Sequence, residues 1–593
     1  MIDGEMVRVE DSVQAWRLRP VILAAIGAIA AILAQQLTDP DRASNALPEV
    51  IAVWRIALAI GIGAGTLALG FGMERTRLAW AFAFALLIGT VTGLIYYLSG
   101  GGTGWWFGDW RYASLVLSIA ITVPLFQTAR DQGGWRFPYA QVHGHAWTNV
   151  VLWFASWAFI GHAFLLAWLL SALFDLIGLH FIRDMLEKHW FSAALAGAAF
   201  GGALGLFRER DRVVRLLQRV VTAVLAVLAP VFGAGLLLFL VSLPFTGLGA
   251  LWEATKSTTP ILLSCVIGAL ILANAVIGNG EEEEIGNPVL RWGAMALGLA
   301  VLPLCVIAAI ATGMRIDQYG FTPDRLWALV FVILATAYGV AYLGSLVLGR
   351  GGWAARVRPA NLRMAFVVCV IALFLAMPIL SFNAISTADQ VARLESGRTK
   401  PDKFDWGALA FDLGDPGKAA LKRLAGSKDA AIASAARTTT TKDNRWQVAE
   451  MTSDAQAVDA LTKRLRVLPA AVPVPDALRK QLTDWDACGK DDDPCILLYT
   501  AGATEAYAIK SSCLDAMTLA HEDKDVASIR CGEARYRLVA GDWKLIGDDE
   551  HPPLDAAQIS ALKAGLAAGK VEVRTVPSRR LFVGGVPVGG PFE

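Results

Sequence analysis

Apolar residues run along this chain in long blocks, not in alternation with polar ones. Between Pro20 and Ile379 about eleven blocks approach the length a helix needs to cross a bilayer, about 20 residues for about 30 Å of hydrocarbon. They fall at residues 20–37, 50–73, 78–99, 111–128, 147–177, 191–207, 219–243, 260–278, 289–313, 326–349 and 362–380. The fifth is too long for one upright crossing, so tilt or an extension past the interface is expected. The first and sixth are short. The pattern predicts an all-α polytopic transmembrane bundle of about eleven helices over residues 20–382, after a cytoplasmic segment at 1–19.

Beyond residue 382 the long blocks stop, and residues 383–593 read as a soluble α+β C-terminal domain. From Ile385 to Trp485 the pattern is helical and broken by turns, with Asp415-Pro416 as a helix start. Strands are expected at 496–500, 505–510, 535–540 and 543–546, then a helix at 554–567, a strand at 571–576 and a hairpin at 581–588 turning at Gly584-Gly585.

Composition agrees with a membrane protein. The 593 residues are 55% hydrophobic, above the roughly 45–50% of soluble domains. A net charge of +1 gives no reason to expect nucleic acid as a partner. Many of the 20 tryptophans sit near block ends, where an indole ring is half wet. The start of the chain is polar and mixed in charge and does not resemble a cleavable signal, so the first block is expected to be retained. Lys and Arg concentrate in alternate loops by about two to one, which puts the N-terminus in the cytoplasm and, after eleven crossings, the tail outside.

The cysteines support that threading. Four of the seven, Cys488, Cys495, Cys513 and Cys531, cluster in the tail, as suits disulfides in an oxidising compartment. Cys488–Cys495 and Cys513–Cys531 are the preferred pairs, although four cysteines allow three connectivities. Cys265, Cys305 and Cys369 lie in apolar blocks and read as small buried residues.

Two segments carry a resemblance. Arg315-Ile-Asp-Gln-Tyr-Gly-Phe-Thr-Pro-Asp-Arg325, ahead of the tenth block, and Ser381-Phe-Asn-Ala-Ile-Ser-Thr-Ala-Asp-Gln390, after the last, resemble the bacterial membrane proteins called domain of unknown function 4153. The resemblance implies a bacterial inner-membrane protein and supplies no functional residues. It covers mainly the membrane part and the start of the tail.

Candidate chemistry is sparse. His143 and His145 flank Gly144 at the start of the fifth block, His162 lies inside it and Asp175 near its far end. Ionisable residues within a membrane are costly and mark candidate sites. A hydrogen-bonded neutral His162 and an interfacial Asp175 are the plainer readings. The His-Gly-His pair has no third ligand, so no metal is expected, and no cofactor motif is present. Thr322-Pro323-Asp324 reads as a helix cap, and Arg55 as snorkelling to headgroups. Gly197, Gly201 and Gly205 form a helix-contact face. Arg208, Arg210, Arg212, Arg215 and Arg219 read as a basic stretch against an anionic leaflet. Pro230 and Pro303 interrupt two blocks.

These features favour a non-enzymatic envelope assembly, sensing or scaffold component. The lipid bilayer is its environment, and a protein partner is expected for the tail. A secondary transporter or lipid exporter is the alternative. A membrane-embedded transferase using His143, His145 or Asp175 on a lipid is the second. Oligomeric state is not legible.

Overall fold

A computed structural model describes residues 16–39, 52–100, 110–247, 249, 258–448, 460–468, 471–484, 495–509, 530–553, 556–568, 570, 579–583 and 586–592. The chain divides into two compact units, Met1–Gln390 and Val391–Glu593.

In the first unit the apolar blocks are helices: α1 Arg19–Thr38, α2 Val53–Gly72, α3 Leu78–Leu98, α4 Trp110–Gln132, α5 Tyr139–Asp175, short α6 Phe181–Glu187, α7 His189–Arg208 and α8 Asp211–Thr246. They continue as α9 Thr258–Ile277, α10 Pro288–Tyr319, α11 Pro323–Gly349 and α12 Trp353–Ala376. Among the described residues, ten helical stretches are long and apolar enough to cross a membrane, and the last runs 54 residues from Pro323 to Ala376. Straight, it would extend about 80 Å, far beyond a bilayer. It is broken at Arg350–Gly352, where Arg350 takes a positive φ of 45°, and α11 and α12 pack against each other. Counted as two, they bring the crossings to the expected eleven. The chain is a multi-pass membrane protein.

Helix ends follow local chemistry. Thr322 caps α11 by accepting from Arg325 N at 3.4 Å, and Asn287 caps α10 by accepting from Val289 N at 2.9 Å. The fifth crossing extends past the interface, since α5 is 37 residues long. Arg55 turns back, not out to headgroups: its Nη2 donates to Gln36 O at 3.0 Å, near the end of α1. Among the described residues of the first unit, two large apolar cores and a smaller one around Ile95, Leu115 and Ala376 form. One large core joins α8 to α12 around Leu297, Leu304 and Tyr342; the other joins α1 to α5 and α7 around Leu152 and Leu204. Small residues let backbones close: a Cβ on Gly201 would lie 2.1 Å from Leu23 O, and one on Gly293 2.5 Å from Pro230 N.

The helix α13 Phe382–Glu395 follows. Its Asp389 accepts from Phe321 N at 2.7 Å, and Gln390 Nε2 donates to Tyr319 O and Phe321 O, each at 2.9 Å. The two segments that carry the family resemblance are thus hydrogen-bonded to each other.

The second unit is α+β. A π-helical turn at Ala408–Asp412 leads into α14 Gly414–Leu424, and α15 Ala430–Thr440 closes a small core on Trp406 and Leu409. Helix α14 starts one residue earlier than expected, so Asp415 sits in its first turn and does not cap it. A sheet of β1 Leu465–Leu468, β2 Cys495–Leu498, β3 Glu505–Ile509, β4 Arg530–Val539 and β5 Asp542–Pro553 runs in sequence order, with β1 parallel to β2 and the rest antiparallel. Helix α16 Asp476–Asp484 packs Leu478 and Leu482 onto it. Strand β1 falls where only helix was expected; its four residues are too few to show a period, and pairing with β2 decides their state. Ala540 and Gly541, both at positive φ, make the tight β4–β5 turn. Helix α17 Ala556–Ala567 and the hairpin of β6 Arg579–Val583 and β7 Val586–Phe592 match expectation. The strand expected at 571–576 lies outside the described residues.

Candidate functional site

Among the described residues of the first unit, two polar groupings contain buried charged side chains. The first surrounds the C-terminus of α2, whose last carbonyls lack helical partners. Arg208 Nη1 donates to Gly70 O (2.7 Å), Gln127 Nε2 to Phe71 O (2.8 Å) and Arg130 Nη1 to Gly72 O (2.7 Å). Arg19 pairs with Glu74 and Glu209, and Arg208 with Glu74 at 3.3 Å. Gln127 and Asn149 exchange amide hydrogen bonds across α4 and α5. His145 Nε2 meets Asp131 Oδ2 at 3.0 Å. These groups join helix ends, and of them Arg19 Nε is left buried without a hydrogen-bond partner. Arg208, read from sequence as part of a lipid-facing basic stretch, is engaged inside the protein; the carboxylate that receives it, Glu74, is far away in sequence.

The second grouping lies between α5, α9, α11 and α12. Arg358 is 7% exposed. Its Nη2 donates to Ile277 O (2.8 Å), Gly280 O (2.9 Å) and Glu284 Oε2 (2.8 Å), closing the C-terminus of α9. Glu284 also pairs with Arg291 at 3.3 Å. Deeper in, Asn361 Nδ2 donates to Asn274 Oδ1 (2.7 Å), and Asn274 Nδ2 to Tyr342 Oη (2.8 Å). The rings of Tyr139 and His143, one helical turn apart, lie 5.2 Å between centroids and tilted by 35°. Tyr139 lies beside Asn361, and both Tyr139 and His143 feel the Arg358 charge. Trp147 Nε1 donates to His143 Nε2 at 3.1 Å.

This second network is not closed. His143 Nδ1 and Arg358 Nε are buried with no hydrogen-bond partner in the protein, and the Tyr139 hydroxyl meets the Asn361 side chain without a well-aligned hydrogen bond. Burying such a group unpaired costs about 1–3 kcal/mol. The starts of α5 and α12 and the ends of α9 and α11 meet here, and the polar atoms lie within about 5–12 Å of those ends by residue rise. The cluster therefore sits near one end of the bundle.

The other sequence candidates lie apart. His143 and His145 are about 200° apart around α5 and face different partners, and among the described residues no three His, Cys, Asp or Glu form a metal-binding group. His162 is exposed, with Nδ1 at 2.7 Å from Ala158 O. Asp175, about 48 Å along α5 from His143, pairs with His180 (2.9 Å) and Arg183. Between α8 and α9, beside Pro230, a groove of about 550 Å³ has a wholly apolar lining that includes Leu228, Phe232 and Leu272. Cys265, Cys305 and Cys369 are free thiols. Cys495 is buried at the head of β2, Cys531 belongs to β4, and Cys488 and Cys513 lie outside the described residues. Sequence reading missed Tyr139, Asn274, Arg358 and Asn361. Asn274, an amide inside an apolar block, was the available signal.

In the tail, Glu505 Oε2 accepts from Tyr507 Oη and Oε1 from Arg537 Nε, each at 2.8 Å, with Arg535 at 3.4 Å. The Tyr507 hydrogen bond, then Arg537, hold this carboxyl down at about 2.

The family model described as domain of unknown function 4153 matches residues 50–424. That span takes in every member of both polar groupings except Arg19 and ends before the sheet of the tail. No curated protein matches the chain. No solved structure matches it.

Proposed function

The chain belongs to the domain of unknown function 4153 family, and on that premise we propose a non-enzymatic sensing or scaffold component of the bacterial inner membrane, whose bundle binds a polar ligand and whose tail meets a protein partner. One observation carries the reading: Tyr139, His143, Arg358 and Asn361 bring buried, incompletely hydrogen-bonded polar atoms to one end of the bundle. A transport site belongs near the midplane, where both sides can reach it in turn; this cluster is off-centre. A transferase site joining His143 to Asp175 is opposed by their distance along one continuous helix.

In this reading the N-terminus is cytoplasmic and residues 383–593 are periplasmic, as the arginine bias argues. The tail carries disulfides Cys488–Cys495 and Cys513–Cys531. Cys495 supports the first, being fully buried and not a free thiol. Thiol labelling of unreduced protein should leave all four tail cysteines unmodified; four labelled cysteines would remove the disulfides.

The functional test is photo-crosslinking in intact cells from Trp446, which is 84% exposed. A discrete adduct whose yield changes in His143→Gln is expected. Proteoliposomes in which the purified chain moves solute or lipid at a His143-dependent rate would overturn the reading in favour of transport.

A further inference from the structure

We infer that the groove between α8 and α9 is a binding site for one hydrocarbon chain of a bilayer lipid, an inference separate from the polar cluster. The groove exists because each wall lacks a side chain. Gly235 stands on α8 and Gly268 on α9. A Cβ on Gly235 would meet nothing within 4 Å, and one on Gly268 would meet the Phe232 ring at 3.4 Å. Leu236 and Leu272, both buried, form the floor, while Leu228, Val231 and Ile271 on the rims are exposed. Both helices are long and apolar enough to cross the membrane. The groove is therefore continuous with the surface that these helices present to lipid, and the bilayer is what reaches it.

Chemistry and size select the occupant. None of the nine lining residues carries a polar side chain. A polar solute or a headgroup would enter without a hydrogen-bond partner, and an apolar cavity does not hold water. Left empty, the groove would deprive its lining of contacts on one side. Length and width separate a lipid chain from a partner helix. From Leu225 to Leu236 the groove runs about 17 Å along α8. The hydrocarbon core is about 30 Å thick, so a chain from one side spans about 15 Å of it. Spread over the length of the groove, its volume of about 550 Å³ gives a cross-section of about 30 Å². A helix about 10–12 Å across needs roughly 80–110 Å². A row of methylene groups fits where a helix does not. The gain on entry is packing, because lipid tails are as apolar as leucine. A chain in the groove touches protein on three sides, and on a smooth helix face it touches protein on one.

The test reconstitutes the purified full chain in phosphatidylcholine vesicles doped with a phosphatidylcholine that carries a photoactivatable diazirine on one acyl chain. Adducts are mapped by peptide. The exposed side of α5 around Leu165, Leu169 and Leu173 is the reference for ordinary lipid contact. Adducts on residues 225–236 and 268–272 should exceed that reference several-fold. Gly235→Phe fills the groove from one wall, and Ile271→Phe, at an exposed position, fills it from the other. In each variant the excess should fall to the α5 level, with α5 labelling and melting temperature as in wild type. Groove labelling in the wild type no higher than that of α5, or an excess that persists in the filled variants, would overturn the site.

Discussion

His162 lies on an exposed side of α5 and hydrogen-bonds the carbonyl of Ala158 one turn back. A glutamine can make the same kind of bond, so His162→Gln should keep expression and detergent-extracted melting behaviour at wild-type levels. A loss of function at unchanged protein level would restore His162 as a relay candidate. Glu505 is a different kind of residue. Its folded pKa of about 2, set first by Tyr507 and then by Arg537, lies below the roughly 4.3 of an unfolded glutamate. A depressed carboxylate stabilises the fold fully above the unfolded value, and that contribution is lost as pH falls through the folded one. Protection factors of the β3 and β4 amides in the full chain should therefore fall between about pH 4.3 and 2, and Glu505→Gln should flatten the dependence. An identical profile in the variant would show that other groups govern it. Of the residues singled out from sequence, His143 alone enters the open polar cluster, because its partners Arg358 and Asn361 lie on a helix far along the chain.

At the scale of elements, contact between helices depends on glycine. A Cβ on Gly197 would lie 2.2 Å from Gly27 O, and one on Gly201 2.1 Å from Leu23 O, whereas one on Gly63 would meet nothing within 4 Å. The four-residue spacing of Gly197, Gly201 and Gly205 was legible as a contact face; that α1 is the helix it meets was not. Gly201→Leu should separate α1 from α7 and cost at least the roughly 1–3 kcal/mol of an overpacked core, read as a lower melting temperature or lost expression. Gly63→Ala is the matched control and should be neutral. Equal melting temperatures for the two variants would show that α1 and α7 do not pack as described. The same scale explains the end of α2. Three side chains from α4 and α7 cap its last carbonyls, which a helix ending within the protein requires.

For the whole molecule, threading is the property to test. A reporter active only outside the cytoplasm should work when fused after Pro401 and fail when fused near Arg212 or Arg356. The reverse pattern would invert the membrane orientation and remove the basis for a periplasmic tail. Eleven crossings make the outcome sensitive to the turn at Arg350–Gly352. Were α11 and α12 one continuous helix, the count would be ten and the tail would lie on the same side as the N-terminus.

The sequence by itself determined where the chain meets lipid, because twenty apolar residues in a row have few other stable environments. It also determined the helix cap at Thr322 and the later strands of the tail, which rest on neighbours in the chain. Only the tertiary structure decided which polar residues meet. Arg208 looked like a lipid anchor until Glu74 and Gly70 O received it, and β1 looked helical until β2 paired with it. The open cluster at His143 needs four helices to converge, and neither periodicity nor composition records which faces of those helices are turned toward one another.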